Sequence, residues 1–391
     1  MATNAKNLAE LLNTDTTVKV GDIEDGSVTT AKLAADAVTA AKLADNSVVT
    51  ANIVDGNVTA VKTTGVGKAK NLVINGAMKI AQRTTSSAGL GANSSAQFVV
   101  DRIFTNSVSD GRYTASQNTV TDLPGFTKAL KLDCTTADTS IAAGEYLLLQ
   151  YRFEGQDLQQ LKKGTSSAEA VTLSFYVKGN AAATYTAELY DYDNTRQYSQ
   201  RFNVTTSWNR ISLTYTGDTT GAYDDDNENS LLLVLWLHAG ANYTGGTQNT
   251  AWGAAVNNQR ANSSDTSFFD STNRTFEITG LQLEVGDTVS DFEHRSFAED
   301  LRLCQRYYQE GRSKISTYRT FSGNWEESLP IIFSTTMRAN PTMAKKTVHT
   351  SSRLNGHDCY YPQLYGFCHF AYPSSSGQYI SDFTWYANAE L

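Results

Sequence analysis

Cysteine is scarce in this sequence: four in 391 residues, at Cys134, Cys304, Cys359 and Cys368. That is too few for a disulfide scaffold and suits a chain made in a reducing cytosol. Long apolar runs are missing too. The longest, Leu231 to Leu237, spans seven residues, far short of the roughly 20 that a membrane-spanning helix needs, so no membrane insertion is expected. The opening MATNAKNLAELLN has no charged region followed by an apolar core and a small-residue cleavage site, and does not read as a secretory signal. Basic charge is not in excess: a net charge of −8 leaves no footprint for nucleic acid or an anionic membrane. Proline occupies only five positions and charged residues make up 18%. With Thr, Ser, Asn, Gly and Tyr plentiful, the balance favours a mainly β chain with polar loops.

What is present first is a repeat. A large apolar residue recurs every fifth position at Val18, Ile23, Val28, Leu33, Val38, Leu43, Val48, Ile53 and Val58, within near-repeats such as DGSVTTAKLA from Asp25 and ADAVTAAKLA from Ala35. The period is neither helical nor strand-like. Ordering such a thread costs more backbone entropy than its few large side chains return on burial. Residues 18–66 are therefore expected to order against sister chains as a trimeric stalk with the fifth-position residues inward. The rival is a single-chain pentapeptide solenoid, with Gly26, Ala31, Asp36, Ala41, Asn46, Ala51 and Gly56 as its small positions. That solenoid would make only about two turns, where repeats generally need three or more units.

Residues 1–17 place Leu8, Leu11 and Leu12 on one side of a short helix, marginal alone and suited to docking on a partner. After a Gly and Lys linker, two-residue alternation begins at Asn71: Val171, Leu173, Phe175 and Val177 against Thr172, Ser174, Tyr176 and Lys178. The run 231–237 reads as a strand covered on both faces, and Gly280 permits a bulge in the last strand. Strands at this spacing predict a β-sandwich, a jelly roll, over 71–295. Ser296 with Glu299 forms a capping box, and Phe297, Leu301, Cys304 and Tyr308 recur as a seam until Gly311. The spacing predicts a connecting helix over 296–311. Its seam either clamps three chains or lies on its own sandwich. Residues 312–391 return to strand patterning and form a small β tip, for which trimerisation would supply stability.

Signals for catalysis are weak: no phosphate-cradling glycine loop, nucleophile elbow or metalloprotease helix is present, so no enzyme, cofactor or metal is expected. The acidic run Asp224, Asp225, Asp226, Asn227 and Glu228 offers oxygen ligands but lacks calcium-loop spacing, and a solvated loop is the simpler reading. His357, Cys359, Cys368 and His369 lack structural-zinc spacing, and adjacent residues of a strand face opposite ways. The expected pair is a buried thiol and an exposed imidazole. Aromatics are the useful candidates, because sugar rings stack on Trp and Tyr. They are Tyr243 and Trp252 in a Gly, Asn and Thr-rich loop, and Trp325, Tyr360, Tyr361, Tyr365 and Tyr372 in the tip. For each, packing in a core or trimer interface is the competing role.

Several of these strings resemble a known family. The tandem repeats after NAKNLAELLN, the NLVINGAMKIAQR that follows, the segment LEVGDTVSDFEHRSFAEDLRLCQRYYQ at 283–309, MRANPT at 337–342 and the WYANAEL ending look like tail-fibre proteins of tailed bacteriophages, especially marine and cyanobacterial ones. NLVINGAMKI and FEITGLQLEVG are also similar to the ends of jelly-roll carbohydrate-binding modules. The resemblance implies a trimeric, virion-bound adhesin and does not by itself identify a ligand; with the aromatics, the expectation is a homotrimer assembled in the host cytoplasm, held by a virion tail protein and binding host polysaccharide or lipopolysaccharide without covalent chemistry. The alternative from another class is a polysaccharide-degrading tailspike, and a third is a secreted carbohydrate-binding module unrelated to virions.

Overall fold

The structure, a computed structural model, describes residues 71–320 and 326–391, with Thr29 alone before them. The docking segment, the stalk positions Val28, Leu33, Val38, Leu43, Val48, Ile53 and Val58, and Trp325 lie outside the described residues. Residues 71 onward belong to one unit, 68–391.

Thirteen strands come first: β1 (Ser86–Leu90), β2 (Ser94–Val100), β3 (Ile103–Val108), β4 (Arg112–Thr119), β5 (Lys128–Thr136), β6 (Tyr146–Glu154), β7 (Val171–Gly179), β8 (Ala183–Asp191), β9 (Arg196–Val204), β10 (Asn209–Tyr215), β11 (Asn229–Ala239), β12 (Gly253–Ala254) and β13 (Thr275–Val285). They form a six-stranded sheet ordered β1-β4-β5-β13-β7-β10 and a seven-stranded sheet ordered β12-β9-β8-β11-β6-β3-β2. The chain is mainly β, with a sandwich as its larger part.

The pattern in the residues explains the layers. Val171, Leu173, Phe175 and Val177 of β7 meet Leu231, Leu233, Leu235 and Leu237 of β11 in one core between the sheets. The intervening residues of β11, Leu232, Val234 and Trp236, are buried as well, on the other face, in a second cluster with Leu148 and Ala261. That is the strand covered on both faces that its unbroken apolar run predicts. Gly280 sits at φ 63 beside a register shift between Thr279 and Gln282. A Cβ there would stand 2.9 Å from the Phe126 ring, so the bulge and the close approach both require glycine.

The helix that follows is shorter than its spacing predicts. It spans Phe297–Gln305, and Ser296 Oγ caps it by accepting the Glu299 N–H at 3.2 Å. The continuous seam does not form: Tyr308 opens a strand, while Cys304 is fully buried within its own chain and Phe297 is 59% exposed. Gly311 is no helix stop either. It lies in that strand under Trp385, whose Cζ2 would be 2.6 Å from a Cβ. The physical reason is that the tyrosines after Gln305 are claimed by sandwich cations: the Arg102 guanidinium lies 3.4 Å from the Tyr307 ring centre and that of Arg83 3.8 Å from Tyr308.

Six more strands make the C-terminal module: β14 (Tyr308–Arg319), β15 (Glu327–Ile332), β16 (Thr342–Ser352), β17 (Leu354–Gln363), β18 (Gly366–Pro373) and β19 (Gly377–Asn388). They pair as β14-β19-β16 and β15-β18-β17 around Phe333, Met337, Phe367, Phe383 and Trp385. Sister chains are not the module's only means of support, because it is bolted to the sandwich through buried charge. Arg102, 2% exposed, pairs with Glu390 and donates to the Arg152 carbonyl at 2.8 Å. Arg83 reaches Glu390 at 3.0 Å, and Arg306 and the Tyr307 hydroxyl both meet Glu154. The acidic loop contributes too: the Asn227 carbonyl accepts from Arg338 at 2.6 Å.

Candidate functional site

The outward side of the β15-β18-β17 sheet carries the strongest candidate. Cross-strand pairing places Asp358 and Tyr360 of β17 opposite Phe370 and Cys368 of β18, with Ser328 and Pro330 of β15 on the other flank. The alternate residues Phe367, His369 and Ala371 turn inward and are buried. Neighbours in a strand should face opposite ways, yet Tyr360 and Tyr361 do not. Tyr361 adopts φ 56, within a register shift between Tyr360 and Gln363. This left-handed turn, costly for a residue with a Cβ, swings both rings against Phe370, at 5.4 and 5.6 Å, and leaves them 6.2 Å apart.

Tyr372 extends the group, stacked at 24° to Phe370 with centroids 6.4 Å apart. The result is a row of rings with wet edges: Tyr361 is 68% exposed and Tyr365, in the following turn, 66%. Burial, with the neighbouring Tyr360 hydroxyl, pushes the Tyr372 phenol up to about 12, so it stays protonated and can donate. Asp358, which lies 3.7 Å from the Lys345 ammonium, adds a charged acceptor beside the rings. Chemically the surface offers flat apolar faces with hydroxyl and carboxylate groups at their rim.

The sandwich candidates serve other purposes. Trp252 donates its indole N–H to the Thr216 carbonyl at 2.7 Å and packs edge-on to Tyr198 at 5.9 Å, so it plugs the sandwich. Tyr243 lies against Trp236 at 5.0 Å and Tyr146 at 5.7 Å, roofing the outer cluster of the seven-stranded sheet. Next to it lies a group missed by reading the sequence. Arg260, held by Glu188 at 2.9 Å, stands 4.6 Å from the Tyr190 ring, and Tyr190 leads to the exposed Tyr192. The alternation of Tyr190 and Tyr192 along one face was the available signal.

The Cys/His set divides between faces. Cys368 pairs with Tyr360 on the outer side, whereas Cys359 pairs with His369 on the inner. His369 is fully buried, contrary to the exposed imidazole expected, because both nitrogens find hydroxyls: Ser313 Oγ at 2.6 Å and Ser381 Oγ at 2.7 Å. His357 also meets Ser381, at 2.7 Å. Burial, then the neighbouring His357, lowers the His369 pKa to about 4.

No family model matches the chain. No curated protein matches it either. Among solved structures, a CBM4 structure is 14% identical over 54% of this chain and 97% of the other, with a TM-score of 0.29. The family 11 carbohydrate-binding module of the cellulase Lic26A-Cel5E of Clostridium thermocellum is 12% identical over 55% and 100%, at 0.25. The enzymatically active domain of tailspike protein 4 of bacteriophage CBA120 is 8% identical over 55% of this chain and 21% of that one, at 0.30. At these values the likeness carries no information about what the chain binds.

Proposed function

We propose that this chain is a non-enzymatic, glycan-binding attachment fibre of a phage virion. Residues 1–17 dock on a tail protein, a trimeric stalk over 18–66 carries the sandwich, and the C-terminal module meets polysaccharide or lipopolysaccharide on the host surface. One observation carries the reading: the left-handed turn at Tyr361 spends backbone strain to set two adjacent tyrosines side by side in solvent. Strain of this kind is kept where it serves a purpose, and rings with an apolar face and a wet edge suit the CH faces and hydroxyls of sugars. The virion role leans on the repeat and linker strings of the sequence. Binding would be weak at each module and strengthened by several modules per fibre and several fibres per particle.

The test is binding of the full chain to host lipopolysaccharide and capsule, for wild type and Tyr360→Ala/Tyr361→Ala. The double variant should lose at least tenfold in affinity while keeping wild-type mass and a folded C-terminal module. Equal binding by both proteins defeats the assignment of this surface. Shortened polysaccharide chains after incubation would replace the adhesin by a depolymerase, and a monomeric mass in light scattering would remove the trimeric stalk.

A further inference from the structure

At one end of the sandwich, Asp138 and Glu145 of one loop and His238 of a distant strand bring a carboxylate oxygen, a second carboxylate oxygen and a ring nitrogen within 4.8 Å of one another. All three residues are buried. Asp138 follows β5, Glu145 precedes β6, and His238 lies near the end of β11, just past a register shift between Trp236 and His238. Such a bulge re-aims the side chain that follows it.

The carboxylates are fixed in place. Glu145 Oε1 accepts the Asp110 N–H at 3.0 Å and Oε2 accepts the Ala142 N–H at 2.7 Å. Asp138 Oδ1 accepts the Ser140 N–H and Oδ2 the Ser109 hydroxyl, both at 3.1 Å. Among the described residues no Lys or Arg forms an ion pair with either group, and the His238 imidazole reaches Glu145 at 3.7 Å.

That imidazole is incompletely satisfied. Its Nδ1 lies 2.8 Å from Ser267 Oγ, while Nε2, on a side chain with no exposed surface, is buried without a hydrogen-bond partner. If Nε2 carries the proton, its nearest carboxylate oxygen, Glu145 Oε2 at 3.7 Å, is too distant to accept it. If Nδ1 carries the proton, a bare lone pair faces two anions. Either tautomer leaves a cost of the kind native structures avoid. A divalent cation at the common point removes both: it takes the Nε2 lone pair and balances the two carboxylates.

We infer that Asp138, Glu145 and His238 form a structural site for a divalent first-row transition ion, of which zinc is the type, clamping the ends of β5, β6 and β11. One imidazole with two carboxylates suits zinc, whereas calcium prefers six to eight oxygens. Ser267 holds the far nitrogen, as the outer partner of a metal-bound histidine does. Donors bound to one ion at about 2.1 Å stand at most about 4.2 Å apart. The 3.7 Å pair already fits, and the widest, within 4.8 Å, has to close by about half an ångström. Three ligands leave room for solvent, and a cavity of ≈ 70 Å³ lined by Ile141, Trp236, His238 and Asp265 adjoins the ring.

The full chain, stripped with a chelator, would be melted with zinc, manganese, calcium or magnesium, and its metal content measured after dialysis against zinc. About one zinc per chain should be retained, zinc should raise the melting temperature, and calcium should not. His238→Ala and Glu145→Gln should each weaken zinc binding at least tenfold, while His357→Ala, in the other module, should not. Cobalt bound to the wild-type chain gives a reading that needs no variant: visible bands of a low-coordinate nitrogen and oxygen site are expected. No retained metal, the spectrum of fully hydrated cobalt, or a zinc response surviving in His238→Ala would each overturn the assignment.

Discussion

On the sandwich, the outer face of the seven-stranded sheet is roofed. Trp236 lies under Tyr243, Tyr190 lies beside Arg260, and the long loop that holds Tyr243 and Arg260 returns across the strands. On the C-terminal module, none of the described residues covers the outer face of β15-β18-β17 in that way, and Tyr360 and Tyr361 are exposed beside Phe370. Both faces are aromatic, so composition alone does not distinguish a ligand surface from a second core. What distinguishes them is whether another stretch of the chain uses the rings. The same contrast applies to support. The sandwich is held by its own leucine and phenylalanine core, while the smaller module leans on the sandwich through Arg102, Glu390, Glu154 and Arg306.

The largest effect should come from breaking that dependence. Arg102→Ala strips a buried cation from Glu390 and from the Tyr307 ring, and losing one partner of a buried pair costs about 3–5 kcal/mol. Denaturation followed by tryptophan fluorescence and limited proteolysis should find the C-terminal module opening first. Arg102→Met combined with Glu390→Gln should recover part of the loss, since it leaves no lone charge. A core variant such as Leu233→Ala, worth about 2–5 kcal/mol, should instead weaken the sandwich. If both variants give one shared transition with no early opening, the two modules are a single cooperative body and the contrast in support fails.

Acid should weaken the C-terminal module more gently. His369 is buried and its pKa is lowered to about 4, against about 6.5 when unfolded. Between those values the unfolded chain binds a proton that the folded module refuses, so stability is intact above about pH 6.5 and declines as pH falls toward 4. His357 and Lys345 around it oppose protonation, and Asp382 favours it. Melting of the module from pH 7.5 to 4.5 should show this loss, and His369→Gln should flatten it. A pH-independent transition in the wild type would mean that the Ser313, His369 and Ser381 chain opens to water.

Local signals were legible in the sequence and long-range ones were not. The alternation in β7, the unbroken run in β11, the Gly280 bulge and the Ser296 cap each depend on a few adjacent residues, and each is present. The end of the helix was misjudged because Phe297, Leu301, Cys304 and Tyr308 keep helical spacing while Arg83 and Arg102, some 200 positions earlier, capture Tyr307 and Tyr308. Trp252 looked exposed in its polar loop, but the Thr216 carbonyl that takes its N–H is distant in sequence. Of the tip aromatics, Tyr360, Tyr361 and Tyr372 pack around Phe370, while Tyr365 stands exposed in the turn that follows. Phe370, the ring that joins these three, shares a face with Tyr372 by strand alternation, but its contact with Tyr361 depends on the left-handed turn. Asp138 and Glu145 share the one loop between β5 and β6, but nothing in their spacing points to His238, which β11 brings to them.

The smallest change in stability should accompany the clearest change in binding. At φ 56, glycine relieves Tyr361 of roughly 1–2 kcal/mol of left-handed strain. Removing its ring forfeits contacts with Tyr360 and Phe370, worth about 0.5–1.5 kcal/mol per aromatic pair. These oppose each other, so Tyr361→Gly should melt within a few degrees of wild type. If the turn exists to present the ring, that same variant should lose glycan binding at least tenfold. On the sandwich, Tyr243→Ala should do the reverse, lowering the melting temperature by uncovering Trp236 while leaving binding intact. Should Tyr361→Gly destabilise the module as much as Tyr243→Ala destabilises the sandwich, the exposed rings are structural after all, and the two faces differ only in what remains to cover them.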